Sequence, residues 1–530
     1  MRTVPALAGM LLLAASTVGL AAEPPAIPDR PLAETFKDVP APWRDYLIQA
    51  RAAERIADPL QRCLAFPDIP GNHWPAGHAA AHCRYHFAHK PPSLAEIAAM
   101  LDAGDVAKLE ALADASQQRH FSEQDFGEDI HGIFDRAVFD ASPESDRVTA
   151  KWLERMPGSA YANLARGQFL ASSAWDARGG KYASETPRAS LRRMSELAGE
   201  AIPYLEKALK INPRLMPAYT ILINIGMMDS REDVENDAFE RARKVDPACV
   251  ELARMRMNAL EPRWGGSYEQ MLGYASELKQ YLPRRPQLAI HVEKPFADRG
   301  DRLIADDRYT NETIDVLEAA VAIGSDEDAL YDAADAAINS TEAKPDPLKG
   351  AAYLLQESRF REVNAWADRN IARALVQMEP EWSLRYSLRA ISLDPDNAWA
   401  HGLAGAGYSN IRSFPEAEQQ YLISMEDPGQ RHGSLQEVAQ MWFFGDRLDR
   451  GRMAKAKPYI DQLLREYPED GRGWILDLQR RMVTGEPFGV DTIKATLKKI
   501  DRSDDWQEER AEWLEGVVRQ MQSPPQKTRH

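Results

Sequence analysis

The sequence predicts an almost entirely α-helical protein. From Trp43 onward, apolar residues recur at spacings of three and four, and few segments alternate with the period of two that a half-buried strand requires. Proline also recurs just after predicted helix ends, where it prevents the helix from continuing. These prolines are Pro157, Pro213, Pro247, Pro395, Pro428 and Pro468. The pattern therefore indicates many short helices in series.

Local start and stop signals define individual helices. Ser93 precedes an apolar run, and Glu96 three residues later gives the spacing of a capping box, in which side chains and backbone satisfy each other's free groups. Gly104 is expected to end that helix. Ser267 and Gln270 give a similar, weaker start further along the chain.

The spacing of the prolines indicates an internal repeat. Pro213 and Pro247 are 34 residues apart, and Pro395 and Pro428 are 33 residues apart. The next interval, to Pro468, is 40 residues. Repeats of this length are typical of arrays of helical hairpins, in which each hairpin buries its apolar face against its neighbours.

The residues within these intervals resemble tetratricopeptide repeats (TPRs), which are 34-residue helical hairpins. After Pro395, the first-helix glycine and tyrosine and the second-helix alanine and aromatic residue are matched by Gly405, Tyr408, Ala417 and Tyr421. Further second helices are matched by Ala201, Leu205 and Ala208, by Phe239 and Ala242, and by Ala456, Ile460 and Leu463. Small residues suit positions where two helices approach closely. The resemblance implies an α-solenoid of TPR-like hairpins, whose inner surface binds a protein or a peptide.

A wider resemblance involves two further segments. The repeats, the residues around Trp175 and the run from His73 to Pro75 are together similar to a group of exported bacterial proteins of unknown function. That resemblance implies no activity.

One repeat is longer than the others. Pro157 and Pro213 are 56 residues apart, which implies an insertion of about 22 residues centred on Trp175 to Gly180.

The predicted segments are, in chain order, a signal peptide (1–22), an extended leader (23–40), an N-terminal disulfide-clamped helical region (41–150), a first TPR-like array with an inserted loop (151–280), an irregular helical bridging segment (281–379), a second TPR-like array (380–500), a capping helix (501–522) and a disordered tail (523–530).

The start of the chain has the features of an export signal. Arg2 is followed by an apolar run from Val4 to Ala22 that ends in small residues. No cysteine stands at the expected cleavage site, which disfavours a lipid anchor. We expect a periplasmic or secreted protein without stable membrane insertion after cleavage, because no second apolar run is long enough to span a bilayer.

The charge balance restricts the partners. The formal net charge is −16, and binding to a nucleic-acid backbone requires clustered Lys and Arg. We therefore expect a protein or peptide partner and no nucleic acid.

Cysteine and histidine concentrate near the N-terminus. Cys63 and Cys83 are expected to form a disulfide, and Cys249 to be a buried structural thiol. His78, His82 and His86 are spaced four apart, so on a helix they share one face, and two of them could bind a transition metal. We favour the alternative, in which His82 to His89 form an amphipathic helix that is tethered by the disulfide, with its histidines at the surface or packed on Trp74. Metal binding through Cys83 would exclude the disulfide.

Two segments combine tryptophan, arginine and a pair of glycines. They contain Trp175, Asp176 and Arg178, and Arg263 and Trp264. Because tryptophan and arginine are enriched at binding hot spots, we predict that these residues bind the partner. The alternative is that each tryptophan fills a gap where an irregular turn meets the next hairpin.

Catalytic signatures are missing from the sequence. It contains no zinc-protease motif, nucleophile elbow, phosphate loop or dinucleotide fingerprint. We therefore predict a protein-binding or scaffold protein of the bacterial envelope that is not an enzyme and needs no cofactor. The competing hypothesis is an α/α-toroid enzyme acting on polysaccharide, which would also be exported, acidic and rich in tryptophan.

Overall fold

A computed structural model describes Pro28 and residues 35–87, 90–122, 129–444 and 449–522. The predicted signal peptide, most of the leader, His89 and the predicted tail lie outside the described residues. The described residues form α-helices joined by turns and short 3-10 helices, and no β-strand occurs among them. The predicted all-α fold is confirmed. Within the same ranges, no helix combines the length and apolar composition that crossing a bilayer requires.

The chain divides into two units, one from Pro31 to Val363 and one from Asn364 onward. The helices of the first unit are α1 Ala41–Ala53, α2 Pro59–Ala65, α3 His78–Phe87, α4 Leu94–Ala103, α5 Val106–Ser122, α6 Asp129–Ile133, α7 Pro143–Arg155, α8 Ala160–Arg178, α9 Arg188–Ile211, α10 Met216–Met228, α11 Glu232–Val245, α12 Val250–Ala259, α13 Tyr268–Leu278, α14 Ala289–Val292, α15 Lys294–Ala305, α16 Asn311–Ile323, α17 Glu327–Asn339 and α18 Pro347–Phe360. Those of the second unit are α19 Ala365–Leu375, α20 Pro380–Leu393, α21 Ala398–Asn410, α22 Phe414–Ser424, α23 Pro428–Met441, α24 Arg450–Glu466, α25 Gly471–Thr484, α26 Val490–Leu497 and α27 Asp505–Gln522.

The predicted helix caps form. The Ser93 hydroxyl accepts a hydrogen bond from the backbone N–H of Glu96 at 3.3 Å, and the Glu96 carboxylate accepts one from the Ser93 backbone at 2.8 Å. Gly104 ends α4 with a φ of 86°, a left-handed conformation that glycine adopts without strain. Ser267 caps α13 by accepting from the Gln270 backbone at 3.2 Å.

The best-matched repeat is a helical hairpin of α21 and α22. A Cβ atom added to Gly405 would lie only 2.7 Å from the Tyr421 ring, so glycine lets the two helices pack directly against each other. Ala417 and Tyr421 on α22 are buried at this contact. The TPR-like hairpin predicted from these residues is confirmed.

The segment predicted as an irregular bridge, 281–379, is more regular than expected. It contains α15 to α18, which have 12 to 14 residues each and pack in pairs. Gly300 provides the close approach to Leu317, and Gly350 that to Ile338. The sequence pattern missed these hairpins because their glycines do not stand at the repeat's usual offsets. The boundary between the two units lies within this segment.

The insertion in the first array also differs from the prediction. It lengthens two helices, α8 to 19 residues and α9 to 24 residues, instead of forming a loop centred on Trp175 to Gly180. The helix continues through Arg178 and stops at Gly179, whose φ of 72° a side-chain-bearing residue rarely adopts. The connecting loop is therefore 179–187.

The N-terminal region is clamped as predicted. Cys63 on α2 and Cys83 on α3 form a disulfide, with their α-carbons 5.7 Å apart. Cys249 is buried, and its sulfur accepts a hydrogen bond from the backbone N–H of Leu252 at the start of α12. The predicted structural thiol thus caps a helix.

The close contact at Gly405 gives a prediction about stability. Gly405→Ala should lower the free energy of unfolding by about 1–3 kcal/mol, because the added methyl group overlaps the Tyr421 ring. Urea unfolding followed by circular dichroism measures this change. The matched control is Gly433→Ala, at an exposed position of α23 where an added Cβ meets nothing within 4 Å. It should raise stability by about 0.5–1 kcal/mol, and equal effects of the two changes would contradict the close-packing interpretation.

Candidate functional site

The two tryptophan and arginine segments are held at the ends of helices. Trp175 and Arg178 lie on the last turn of α8, and Trp264 lies in a 3-10 turn that follows α12. Gly265 ends that turn with a φ of 97°. Gly266 lies so close to the backbone of Leu260 that any side chain would collide with it. The paired glycine is therefore required by the turn that presents Trp264.

The structure brings the two segments together. The rings of Trp175 and Trp264 are 5.9 Å apart between centroids and perpendicular to each other. The guanidinium carbon of Arg178 lies 5.5 Å from the Trp175 centroid and 5.3 Å from the Trp264 centroid. We call these three residues the Trp–Arg cluster. The two segments are distant in the sequence, and the fold brings them together into one cluster.

The Trp–Arg cluster is fixed by neighbours that the sequence did not single out. The Trp175 indole N–H donates to the side-chain oxygen of Asn224, and the guanidinium of Arg136 lies 5.9 Å from the Trp175 centroid. Arg178 donates to the backbone carbonyls of Gly179 at 3.1 Å and Lys181 at 3.2 Å. No carboxylate in the described ranges pairs with Arg178. Its charge is stabilised by the aromatic rings and by the carbonyl dipoles that it contacts.

The two remaining predicted binding residues lie differently. Asp176 is exposed next to the cluster on α8. Arg263 is 48% exposed, but its guanidinium pairs with the fully buried carboxylate of Glu261. Burial raises the pKa of Glu261 above its usual range, although Arg263 and Lys294 oppose the change. Arg263 therefore compensates a buried charge as well as lining the site.

A cavity adjoins the cluster on each side. The first, of about 620 Å³, has a mixed lining of polar and apolar side chains, and Tyr182 in that lining is 71% exposed. Its apolar part includes Leu191, Met194, Met227 and Met228. The second, of about 610 Å³, is also mixed, and its polar part includes Arg136, Asn224 and Arg254. Arg178 lines the first cavity, Trp175 lines the second and Trp264 lines both, so the cluster borders both cavities.

A third, smaller cavity of about 320 Å³ is acidic. Its lining includes Arg263, Lys294 and the carboxylates of Asp298, Asp301, Asp326, Asp328 and Asp332. Burial raises the pKa of Asp332 to about 7, and the nearby carboxylates act in the same direction. Burial lowers the pKa of Lys294, but the surrounding carboxylates outweigh burial and leave it raised.

The three histidines on α3 have different surroundings. His78 is buried, and its two ring nitrogens lie 2.8 Å from the Pro286 carbonyl oxygen and 2.8 Å from the Ser325 hydroxyl. Its ring packs on Trp74, and burial lowers its pKa to about 3. His82 and His86 instead meet Glu327, a residue that no sequence feature singled out. Among the residues that the structure describes, the group close enough together to hold a metal is therefore His82, His86 and Glu327, and His78 is not part of it.

Comparisons with known proteins identify no family. No family model matches the chain, and no curated protein matches it. Solved structures with some similarity are YrrB, described as a TPR protein with an unusual peptide-binding site (16% identity, 34% of this chain and 88% of that chain, TM-score 0.29), the TPR domain of P58(IPK) (14%, 72% and 96%, 0.25) and Cut9 with Hcn1 from the APC/C (10%, 91% and 98%, 0.31). The protein is assigned to the TPR-like helical-repeat class by its own hairpins.

The raised pKa of Asp332 predicts a pH-dependent stability. Between its ordinary value of 3.8 and its folded value of about 7, the folded protein binds this proton more tightly than the unfolded chain. Stability is therefore lost as the pH rises through this window. Asp332→Asn should raise the free energy of unfolding at pH 8 by about 1–2 kcal/mol after allowance for solvent screening, and leave it unchanged near pH 4.

Urea unfolding at both pH values measures this difference. The control is Asp306→Asn, an exposed carboxylate in the same unit, which should change stability little at either pH. A gain from Asp332→Asn that is equal at pH 4 and pH 8 would show that folding does not raise the pKa of Asp332.

Proposed function

We propose that this protein is an exported helical-repeat protein of the bacterial envelope, periplasmic or secreted, that binds a peptide segment of another protein at the Trp–Arg cluster. The observation that carries the proposal is the position of Arg178 beside two perpendicular tryptophan rings, about equally far from both centroids. Trp175 and Trp264 are 89 positions apart in the chain. Two helix ends that are distant in the chain therefore form one partly exposed surface.

The chemistry of the cluster defines the segment it would bind. Nη1 of Arg178 donates to the Gly179 and Lys181 carbonyls, so the remaining guanidinium N–H groups are the donors that would bind a carboxylate of the ligand. The adjoining cavity of about 620 Å³ is lined in part by Met194, Met227 and Met228, and methionine adapts its shape to different apolar side chains. The ligand is a peptide with an aromatic or aliphatic side chain beside an acidic group.

Two features support export. The apolar run that ends at Ala22 has the pattern of a signal peptide. The disulfide between Cys63 and Cys83 is a bond that persists in oxidising compartments such as the periplasm.

Affinity capture tests the binding proposal. The immobilised mature chain should retain a specific periplasmic protein, and Trp175→Ala with Arg178→Ala should reduce retention at least tenfold. Arg178→Gln alone should also weaken binding while preserving the fold, because that guanidinium bonds only to carbonyls of an exposed loop. The matched control is Trp513→Ala with Arg519→Ala on α27, where Trp513 is 46% exposed. Equal retention by both double variants would refute the assigned site.

The competing hypothesis, an enzyme acting on polysaccharide, is favoured by one observation. Asp332 lies in an acidic cavity with a pKa near 7, and a general acid in glycoside hydrolysis must be protonated near neutral pH. We expect no glycan cleavage by the mature chain. Cleavage that Asp332→Asn abolishes, together with no retained protein, would replace the binding proposal with the enzyme.

A further inference from the structure

Three ligand-type atoms converge where α3 meets the start of α17. The Nε2 atoms of His82 and His86 are 3.2 Å apart, and they lie 3.1 Å and 2.8 Å from the same carboxylate oxygen, Oε1 of Glu327. His82 is buried, the Glu327 side chain is 13% exposed, and that of His86 is 26% exposed. We call these residues the His–Glu cluster.

These separations match those of metal ligands. An ion bound at about 2.0–2.1 Å by tetrahedrally arranged ligands places those ligand atoms about 3.3 Å apart. The three observed separations are within about half an ångström of this value. Hydrogen bonds alone explain this arrangement less well than a metal does. If both imidazoles donate to Glu327, their two N–H groups face each other as donors.

The surrounding fold holds the three ligands in place. His82 and His86 are four residues apart on α3, so both face one side of that helix. The third residue of the stripe, His78, contacts the Ser325 hydroxyl, two residues before Glu327. The disulfide at Cys83 fixes the same helix to α2. His78 is therefore a positioning residue that keeps α3 in register with Glu327.

We propose that His82, His86 and Glu327 bind a divalent first-row transition ion, with zinc the ion that best fits two imidazoles and one carboxylate. The Phe360 ring packs edge-on against His82, with centroids 4.4 Å apart, and shields one side of the ion. The partly exposed side at His86 leaves room for water as a fourth ligand, the arrangement of an open zinc site.

This site differs from the metal site considered from the sequence. That site used the histidine stripe or Cys83, and a cysteine ligand would have required the disulfide to be open. The His–Glu cluster contains no cysteine, so the disulfide and the metal coexist. The proposal uses none of the residues of the Trp–Arg cluster and does not depend on the proposed function.

Zinc titration tests the proposal. The mature chain, oxidised, without a histidine tag and stripped by a chelator, should bind one equivalent of Zn²⁺ with a dissociation constant below about 1 μM, measured in competition with a chromophoric chelator. The thermal midpoint should rise when zinc is added. His86→Ala and Glu327→Gln should each weaken binding at least tenfold. His86 is partly exposed and Gln preserves the shape of Glu, so both variants should fold, which circular dichroism checks.

The matched control is His432→Ala. His432 Nε2 lies 3.1 Å from a carboxylate oxygen of Asp470, but without the pair of imidazoles that converge at Glu327. The control should bind zinc as the unaltered protein does. Binding no tighter than millimolar by the unaltered protein, or unchanged affinity in both His86→Ala and Glu327→Gln, would overturn the proposal.

Discussion

Close packing between paired helices is the constraint on which the rest of the structure depends. Where Gly405 meets Tyr421 there is no room for a Cβ atom, and the same holds where Gly226 meets the backbone of Glu235. Such contacts leave each helix little freedom to slide or rotate against its partner. Several chemically distinctive side chains lie at helix ends. Both the Trp–Arg cluster and Glu327 of the His–Glu cluster are examples.

The sequence predicts the features that depend on local spacing. The caps at Ser93 and Ser267, the hairpin at Gly405 and the disulfide each involve residues close in the chain, and all are confirmed. Long-range pairing is not encoded in such spacing. Nothing near Trp175 indicates Trp264, and nothing near His82 indicates Glu327, 245 residues further on.

The other differences between the predicted and the observed structure arise where a local sequence signal was interpreted wrongly. The glycine pair at Gly179 suggested a loop centred on Trp175, but α8 needs a glycine only at the residue where it stops. The helical residues of the insertion lengthen the hairpin because 19 and 24 residues of helix have apolar neighbours to pack against. The hairpin of α15 and α16 is not predicted by the sequence, because its close contact at Gly300 does not follow the repeat pattern.

Charge and oxidation state connect the two candidate sites to the predicted compartment. In a protein with a net charge of −16, Arg178 pairs with no carboxylate among the described residues and instead lies beside two tryptophan rings. A thiolate is a stronger zinc ligand than a carboxylate, and Cys83 is adjacent to His82 in the chain. Oxidation to the disulfide removes that thiolate from competition. An oxidising compartment would therefore both clamp α3 and leave its imidazoles and Glu327 as the ligands for the ion.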